Sequence, residues 1–336
     1  MKAFLIKKYD KKAKLLLEEV ATPDIKDDEV LVEVHASGLN LLDSKIRSGE
    51  FKLLLPYKFP LILGHDAAGI ITRVGKNVRN FKVGDQVYAR PADFHIGTFA
   101  EYIAINENDL AIKPKNISME EAASAPLVSL TAWQALVEIG NVQKGQKVFI
   151  QAGSGGVGTI AIQLAKYLGA TVATTASEKS FDTLKSLGAD IVIDYKKQDF
   201  ENILKDYDLV LNSQDTATLK KSLNVLKPGG KLISISGPPT PDFARAIGVP
   251  WYIKMILSLI SSGIRKKAEK LGVQYSFLFM RADGKQLHQI TKLIESGDIK
   301  PVVDKVFPFT QTNDAMDYIE SGRAKGKVVI NIRALA

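Results

Sequence analysis

One stretch constrains this chain more than any other: residues 147–170, KVFIQAGSGGVGTIAIQLAKYLGA. A β-branched run enters a turn crowded with glycine, and an apolar run at helical spacing leaves it at once. Strand, glycine turn and helix in immediate succession open a βαβ unit. Gly153, Gly155 and Gly158 fit the spacing G-x-G-x-x-G. The first glycine permits a tight turn, the second lets backbone N–H groups approach a pyrophosphate, and the third lets helix and strand pack closely. The helix N-terminus adds partial positive charge. The alternative, a glycine-rich turn that holds no ligand, explains the spacing less well.

The flanking segments keep the same rhythm. Runs at 171–175, 191–194, 209–211 and 231–236 read as strands, with helical stretches between them. Short β-branched runs alternating with helices imply a parallel sheet covered on both faces. Residues 1–118 read differently, as short β runs at 29–35, 67–74, 86–90 and 101–105 punctuated by glycine and proline. That pattern suits an antiparallel, barrel-like domain. The tail returns to strand-like runs and ends with KVVINI at 327–332, so it is expected to rejoin the first domain. The parallel-sheet domain is then an insertion. The expected division is a barrel-like domain at 1–120, a parallel-sheet cofactor domain at 121–265, and at 266–336 an edge strand, a helix and the return to the first domain.

The dinucleotide is read at the tip of the next strand, TTASEK at 174–179. An NAD-specific site places an acid there to accept from the ribose hydroxyls. Here Ser177 can donate to a 2′-phosphate and Lys179 supplies a charge, so NADP is the expected cofactor. Glu178 is the competing reading, since turned inward it favours NAD.

At 336 residues the chain suits two domains. It has no cysteine, which excludes disulfides, thiolate metal sites and a cysteine nucleophile. The net charge is +8, with local lysine clusters at 7–14 and 265–270. No aromatic-basic motif accompanies them, so they read as solvated surface and nucleic acid is not the expected partner. The charge does leave open a second class, a dinucleotide-loaded protein that touches RNA or a membrane surface with little turnover. Residues 251–270, WYIKMILSLISSGIRKKAEK, set an apolar stretch beside a basic cluster. A membrane-surface helix, a substrate lid and a dimer contact all fit it. VQYSFLF at 273–279 forms an exposed apolar edge strand unless a second subunit pairs with it, so a homodimer is expected. No run reaches the length of a membrane span and the start lacks a signal-peptide core, which makes the cytoplasm the expected compartment.

Several further motifs carry a family resemblance. They are NLLDSKIRSG at 40–49, LGHDAAG at 63–69, VGDQV at 83–87, GTFAEY at 97–102, SLTAW at 129–133, KPGG at 227–230 and SGRAKGKVV at 321–329. Together with the glycine turn, over essentially the whole chain, these resemble the medium-chain dehydrogenase/reductase superfamily. The closest resemblance is to its zinc-independent quinone oxidoreductases and alkenal or enone reductases. The fold implied is a Rossmann α/β domain inserted into a mainly antiparallel, GroES-like β-barrel domain. Zinc-dependent relatives carry cysteines where Asn40 stands and near Leu127, and a histidine where His65 stands. Only His65 survives here, so no metal site is expected. A zinc alcohol dehydrogenase is accordingly the weakest reading.

The resemblance implies an NADPH-dependent reductase of quinones or α,β-unsaturated carbonyls. It puts Asn40, Asp43 and Lys45 at an interdomain cleft as catalytic residues, with Lys45 contacting the cofactor or polarising the substrate and Asn40 bonding a substrate carbonyl. It sets Thr131 beside the nicotinamide, and Gly155, Gly156 and Val157 on the pyrophosphate. Ser177, Lys179 and Tyr195 surround the 2′-phosphate. Ser236 and Gly237 lie at the ligand edge of the sheet, Phe277, Leu278 and Phe279 bring backbone near the carboxamide, and Lys325 lies in the C-terminal motif. One departure is DLVLNSQD at 208–215, where relatives often read D-V-V-x-D-A-x-G. No proton donor stands out; Tyr57, His95 and solvent are the candidates.

Overall fold

The computed structural model describes residues 1–333. The chain forms two compact units, Met1–Leu130 with Arg281–Ala336, and Thr131–Met280.

In the second unit every strand pairing is parallel. Its six strands lie in the order Ile191–Asp194, Thr171–Ala176, Lys147–Ile150, Tyr207–Asn212, Leu226–Ser234 and Gln274–Phe277. Counted along the chain this is 3-2-1-4-5-6, the doubly wound order of dinucleotide-binding sheets. The winding reverses between Lys147–Ile150 and Tyr207–Asn212, and ligands bind such sheets beyond the strand ends at that reversal. Val148, Phe149 and Ile150 are buried without interruption, as are Leu209, Val210 and Leu211. Continuous burial, rather than alternation, is what a sheet covered on both faces requires. The helix Gly156–Tyr167 follows the first strand directly and is buried from Gly158 to Ala165.

The first unit is mainly antiparallel. Its hub is the strand Glu29–Leu39, which pairs antiparallel with Asp66–Val74, Tyr102–Asn106 and Lys327–Asn331. Val30, Val32 and Val34 recur at every second position and pack with Ile71, Val87, Ile103 and Ile105, and the other face is covered too, since every residue of the strand but Glu33 is buried. Lys327–Asn331 also pairs in parallel with Val303–Pro308, so the tail does rejoin this unit. In register, Val328 stands opposite Leu39 and Asp66 opposite Gly38. A side chain at Gly38 would meet Ala123 O at 2.3 Å and Asp66 at 3.2 Å. Only glycine lets these segments close together.

The unit bounds differ from the division drawn from the sequence. Helix Met119–Ala123 and the start of Pro126–Trp133 belong with the first unit, where the Leu127 N–H donates to Asp66. Residues 266–280 belong with the second, because Gln274–Phe277 adds the sixth strand to the parallel sheet. Helix periodicity marks an element but does not say which core its face seeks. No helix among the described residues is long and apolar enough to cross a membrane.

Candidate active site and cofactor cradle

In the second unit the glycine turn is held by the neighbouring strand. Gly153 N–H donates to Thr175 O at 3.0 Å and Ala152 N–H to Thr175 Oγ1 at 3.1 Å. A Cβ on Gly153 would lie 2.2 Å from Thr174 Oγ1, and one on Gly158 would lie 2.4 Å from Ala152 O. Both glycines are therefore demanded by the protein's own packing. Gly155 is not: a Cβ there meets only Ala152 O, at 3.4 Å. Gly155 is also the N-cap of helix Gly156–Tyr167 and offers no side-chain cap. The first-turn N–H groups thus face an open cradle at the positive end of a helix, which fits a pyrophosphate. Gly156 and Val157 form the first residues of that helix.

At the next strand ends, Ser177 is half-buried, while Lys179 and Tyr195 are exposed, Tyr195 by 60%. Glu178 is not turned inward. Its carboxylate lies 2.6 Å from Lys197 Nζ, and that hydrogen bond raises the Lys197 ammonium above its ordinary range. Lys196, also exposed, follows Tyr195, and its N–H donates to the buried Asp194 carboxylate at 3.0 Å. The strand tips thus present Lys179, Lys196 and a Lys197 that neutralises the one competing acid. Lys197 was not singled out from the sequence, where it lies 19 residues from Glu178.

The reversal point of the sheet carries a buried polar network. Asn212 Nδ2 donates to Gln151 Oε1 at 2.5 Å, and Ser234 Oγ donates to Asn212 Oδ1 at 2.6 Å. Gln151 also reaches Ser222. Ser236 Oγ donates to Gln214 O at 2.6 Å and Gly237 N–H to Ser234 Oγ at 2.8 Å. The DLVLNSQD departure therefore supplies the residue that ties three strand ends together. Leu278 N–H donates to Ser234 O at 2.9 Å, and the rings of Phe277 and Phe279 pack against Phe243. Thr131 is buried in helix Pro126–Trp133.

In the first unit, Asn40, Asp43, His65, Asp66 and Lys327 form one buried cluster. Asp43 Oδ1 bonds His65 Nδ1 at 2.6 Å, and its Oδ2 accepts the Asn40 N–H at 2.8 Å, closing the N-terminus of helix Leu41–Ser48. Asn40 Nδ2 donates to Asp66 Oδ2 at 2.9 Å. Lys327 Nζ donates to Asn40 Oδ1 at 2.6 Å and to Asp66 Oδ2 at 2.9 Å. The remaining Asp66 oxygen accepts the Leu127 N–H at 2.7 Å. Asn40 is thus committed to protein partners, with its second N–H on Gly38 O at 3.4 Å. Lys45 pairs with Glu50 at 3.1 Å on the exposed side of its helix. In the C-terminal motif Lys325 is exposed and Lys327 is the buried cation.

This donor set does not fit zinc. It offers one imidazole and no thiolate, and a lysine ammonium already occupies the carboxylate. Among the described residues no group of three or more His, Cys, Asp or Glu is arranged to hold a metal. Among the buried polar atoms of the unit without a hydrogen-bond partner are His65 Nε2 and the Tyr57 hydroxyl, beside ring or guanidinium nitrogens of His35, Arg47 and Arg90. Burial, reinforced by the Asp93 carboxylate, pushes the Tyr57 phenol well above its ordinary value. His95 is exposed.

The chain matches two family profiles, "Alcohol dehydrogenase GroES-like domain" over residues 26–115 and "Zinc-binding dehydrogenase" over residues 187–330. A Danio rerio protein named "NAD(P)H oxidoreductase RTN4IP1, mitochondrial" is 36% identical, covering 99% of this chain and 91% of its own length. An Arabidopsis thaliana protein named "NADPH-dependent alkenal/one oxidoreductase, chloroplastic" is 36% identical over 98% of this chain and 79% of its own. Among solved structures, the quinone oxidoreductase from Coxiella burnetii superposes with a TM-score of 0.86 at 30% identity, covering 99% of both chains. The GroES-like unit, the 3-2-1-4-5-6 sheet and these full-length likenesses agree. The chain belongs to the medium-chain dehydrogenase/reductase superfamily, in its quinone oxidoreductase and alkenal/one reductase branch.

Proposed function

We propose that the protein is an NADPH-dependent reductase of quinones or α,β-unsaturated carbonyls that works without a metal. The observation that carries this reading is the Lys327 ammonium on Asp66 and Asn40, which replaces a metal-ligand set with a closed ion pair. Alcohol oxidation would lack a Lewis acid to hold its alkoxide, whereas a conjugated acceptor is already polarised. The nicotinamide, when bound, supplies a hydride to the electron-poor carbon. The electrons displaced from the double bond move to the acceptor oxygen or its enolate carbon, which takes one proton.

The setting of each residue supports the role we assign to it. Gly155, Gly156 and Val157 hold the pyrophosphate through backbone N–H groups. Ser177, Lys179 and Tyr195 receive the 2′-phosphate, and Lys197 masks Glu178 so that no carboxylate opposes it. Ser236 and Gly237 shape the edge beyond the sheet, and Phe277–Phe279 offer backbone to the carboxamide. Asn40 and Asp43 act as positioning residues, since their polar atoms serve Asp66, Lys327 and His65. Lys45, in a solvent-exposed pair with Glu50, is the cation assigned to cofactor or substrate. The proton comes from Tyr57, His95 or solvent, and burial keeps the Tyr57 phenol protonated well past neutral pH.

We further propose a homodimer in which Gln274–Phe277, the outer strand of the six-stranded sheet, pairs with its copy, and a cytoplasmic setting. The test is an NADPH and NADH oxidation screen across quinones, alkenals and 2-alkenones, with light scattering for the dimer. NADPH-dependent turnover of at least one acceptor class supports the reading; none with any acceptor removes it.

A further inference from the structure

The helix Trp251–Lys270 has two unlike sides. Leu257, Ser261, Ile264 and Ala268 are buried and recur at spacings of four, three and four, so one stripe seats the helix on its unit. At about 100° per residue, the opposite face carries Tyr252, Met255, Ile256 and Leu259, then Lys266 and Lys270. Trp251 is 74% exposed, Leu259 67% and Ile260 58%. Soluble monomers rarely leave so contiguous an apolar patch in water unless something covers it.

We propose that this face docks on a bilayer rich in anionic lipid. Charge decides between that partner and a second copy of the chain. Lys254, Arg265, Lys266, Lys267 and Lys270 stand on the helix against Glu269 alone. Pairing two copies through this face would set these cations together with little acid to offset them. Lipid phosphates complement them. Among the described residues the Lys266 and Lys270 side chains have no hydrogen-bond or ion-pair partner, whereas Arg265 and Lys267 are tied back to Ser258 and Lys220. Trp251 and Tyr252, at the helix start, have the apolar body and polar edge that settle at a membrane–water boundary. The apolar first half enters the boundary and the basic second half lies at the phosphate level, so the helix rests on the membrane without spanning it.

The test is co-sedimentation of the full chain with vesicles of phosphatidylcholine alone, and of phosphatidylcholine and phosphatidylglycerol in equal parts. Binding to the anionic vesicles that weakens with salt, with little binding to the neutral ones, is the expected result. Each basic residue at an anionic surface is worth about fivefold in partitioning, so Lys266→Gln with Lys270→Gln lowers binding about 25-fold. Met255→Asp with Leu259→Asp removes binding while leaving the thermal midpoint and NADPH turnover in place, because both side chains are exposed. Anionic vesicles also blue-shift the tryptophan emission, and Trp251→Phe abolishes that shift. No capture by anionic vesicles, or capture unchanged in both double variants, overturns the proposal. So does a variant that splits a dimer in a chain that never binds vesicles, which would assign the face to a second copy.

Discussion

Lys327 Nζ lies 2.6 Å from Asn40 Oδ1, and both side chains are buried. The same ammonium holds Asp66 Oδ2 at 2.9 Å, so a fixed positive charge sits in the polar heart of the first unit. Neither partner has water to fall back on. Their mutual dependence makes the cluster a measurable coupling.

Lys327→Met leaves the Asp66 carboxylate buried without its cation and should destabilise by about 3–5 kcal/mol, the usual cost of halving a buried pair. Asp66→Asn with Lys327→Met should recover most of that loss. Urea unfolding of the two single variants and the double variant measures the coupling, and strictly additive losses would sink it.

The glycines of the turn should separate by role. Gly155→Ala meets only Ala152 O at 3.4 Å, so its thermal midpoint should stay near wild type while NADPH affinity falls at least tenfold. Gly158→Ala meets Ala152 O at 2.4 Å and Gly153 Cα at 2.7 Å, and overpacking of that kind costs about 1–3 kcal/mol. Calorimetry and cofactor titration on both variants check the split.

Cofactor preference should respond to Lys197 as well as to Lys179. Lys179→Ala removes a charge-assisted contact worth about 1.5–3 kcal/mol, roughly a tenfold or greater loss in kcat/KM for NADPH with little change for NADH. Lys197→Ala exposes Glu178 and should lower the NADPH-to-NADH ratio in the same direction. Glu178→Gln in that background should restore it. A ratio that does not move in Lys197→Ala would refute the masking role.

Tyr57→Phe should lower kcat by about a hundredfold if the phenol donates the proton. Because burial raises this phenol above its ordinary value, the wild-type rate should show no alkaline limb from Tyr57 up to pH 10. A deprotonation limb below that pH that vanishes in Tyr57→Phe would contradict the assignment.

The acid side of the stability curve should come in part from Asp208 and Asp190. Burial alone would raise both, yet Asp208 accepts from Lys227 at 2.5 Å and Lys147 N–H at 2.8 Å, and Asp190 accepts from the Val172 N–H and Lys166. These bonds hold both carboxyls below their ordinary value. Their stabilisation is therefore complete above the unfolded carboxylate value of about 3.9 and is lost as the pH falls through the lower folded value. Asp208→Asn should be less stable than wild type at neutral pH and lose less on acidification. Thermal midpoints across that range test it.

Much of the second unit is written in local sequence. The turn 153–158 lies directly between a β-branched run and a helical run, so strand, cradle and helix are all read from neighbours in the chain. The first unit's cluster is not local. Lys327 and Asp66 are 261 positions apart, and only the register of Val328 on Leu39 brings them together. Lys325 and Lys327 flank the same glycine in one motif, and nothing in composition says which is buried. Knowing that KVVIN pairs with the end of Glu29–Leu39 would have decided it. Glu178 posed the same difficulty, because its partner Lys197 comes from the loop after the next strand.

The split of the first unit around the second sets an order of events during synthesis. Asn40 and Asp66 leave the ribosome early, whereas the lysine that compensates them emerges only after Thr131–Met280. Until then the nascent segment must either keep its hub strand open or bury a carboxylate without a cation. Contacts this distant in sequence are slow to form, and the waiting strand edge is what a holding chaperone recognises. A ribosome stalled within the inserted unit would therefore display a GroES-like half that is unable to close.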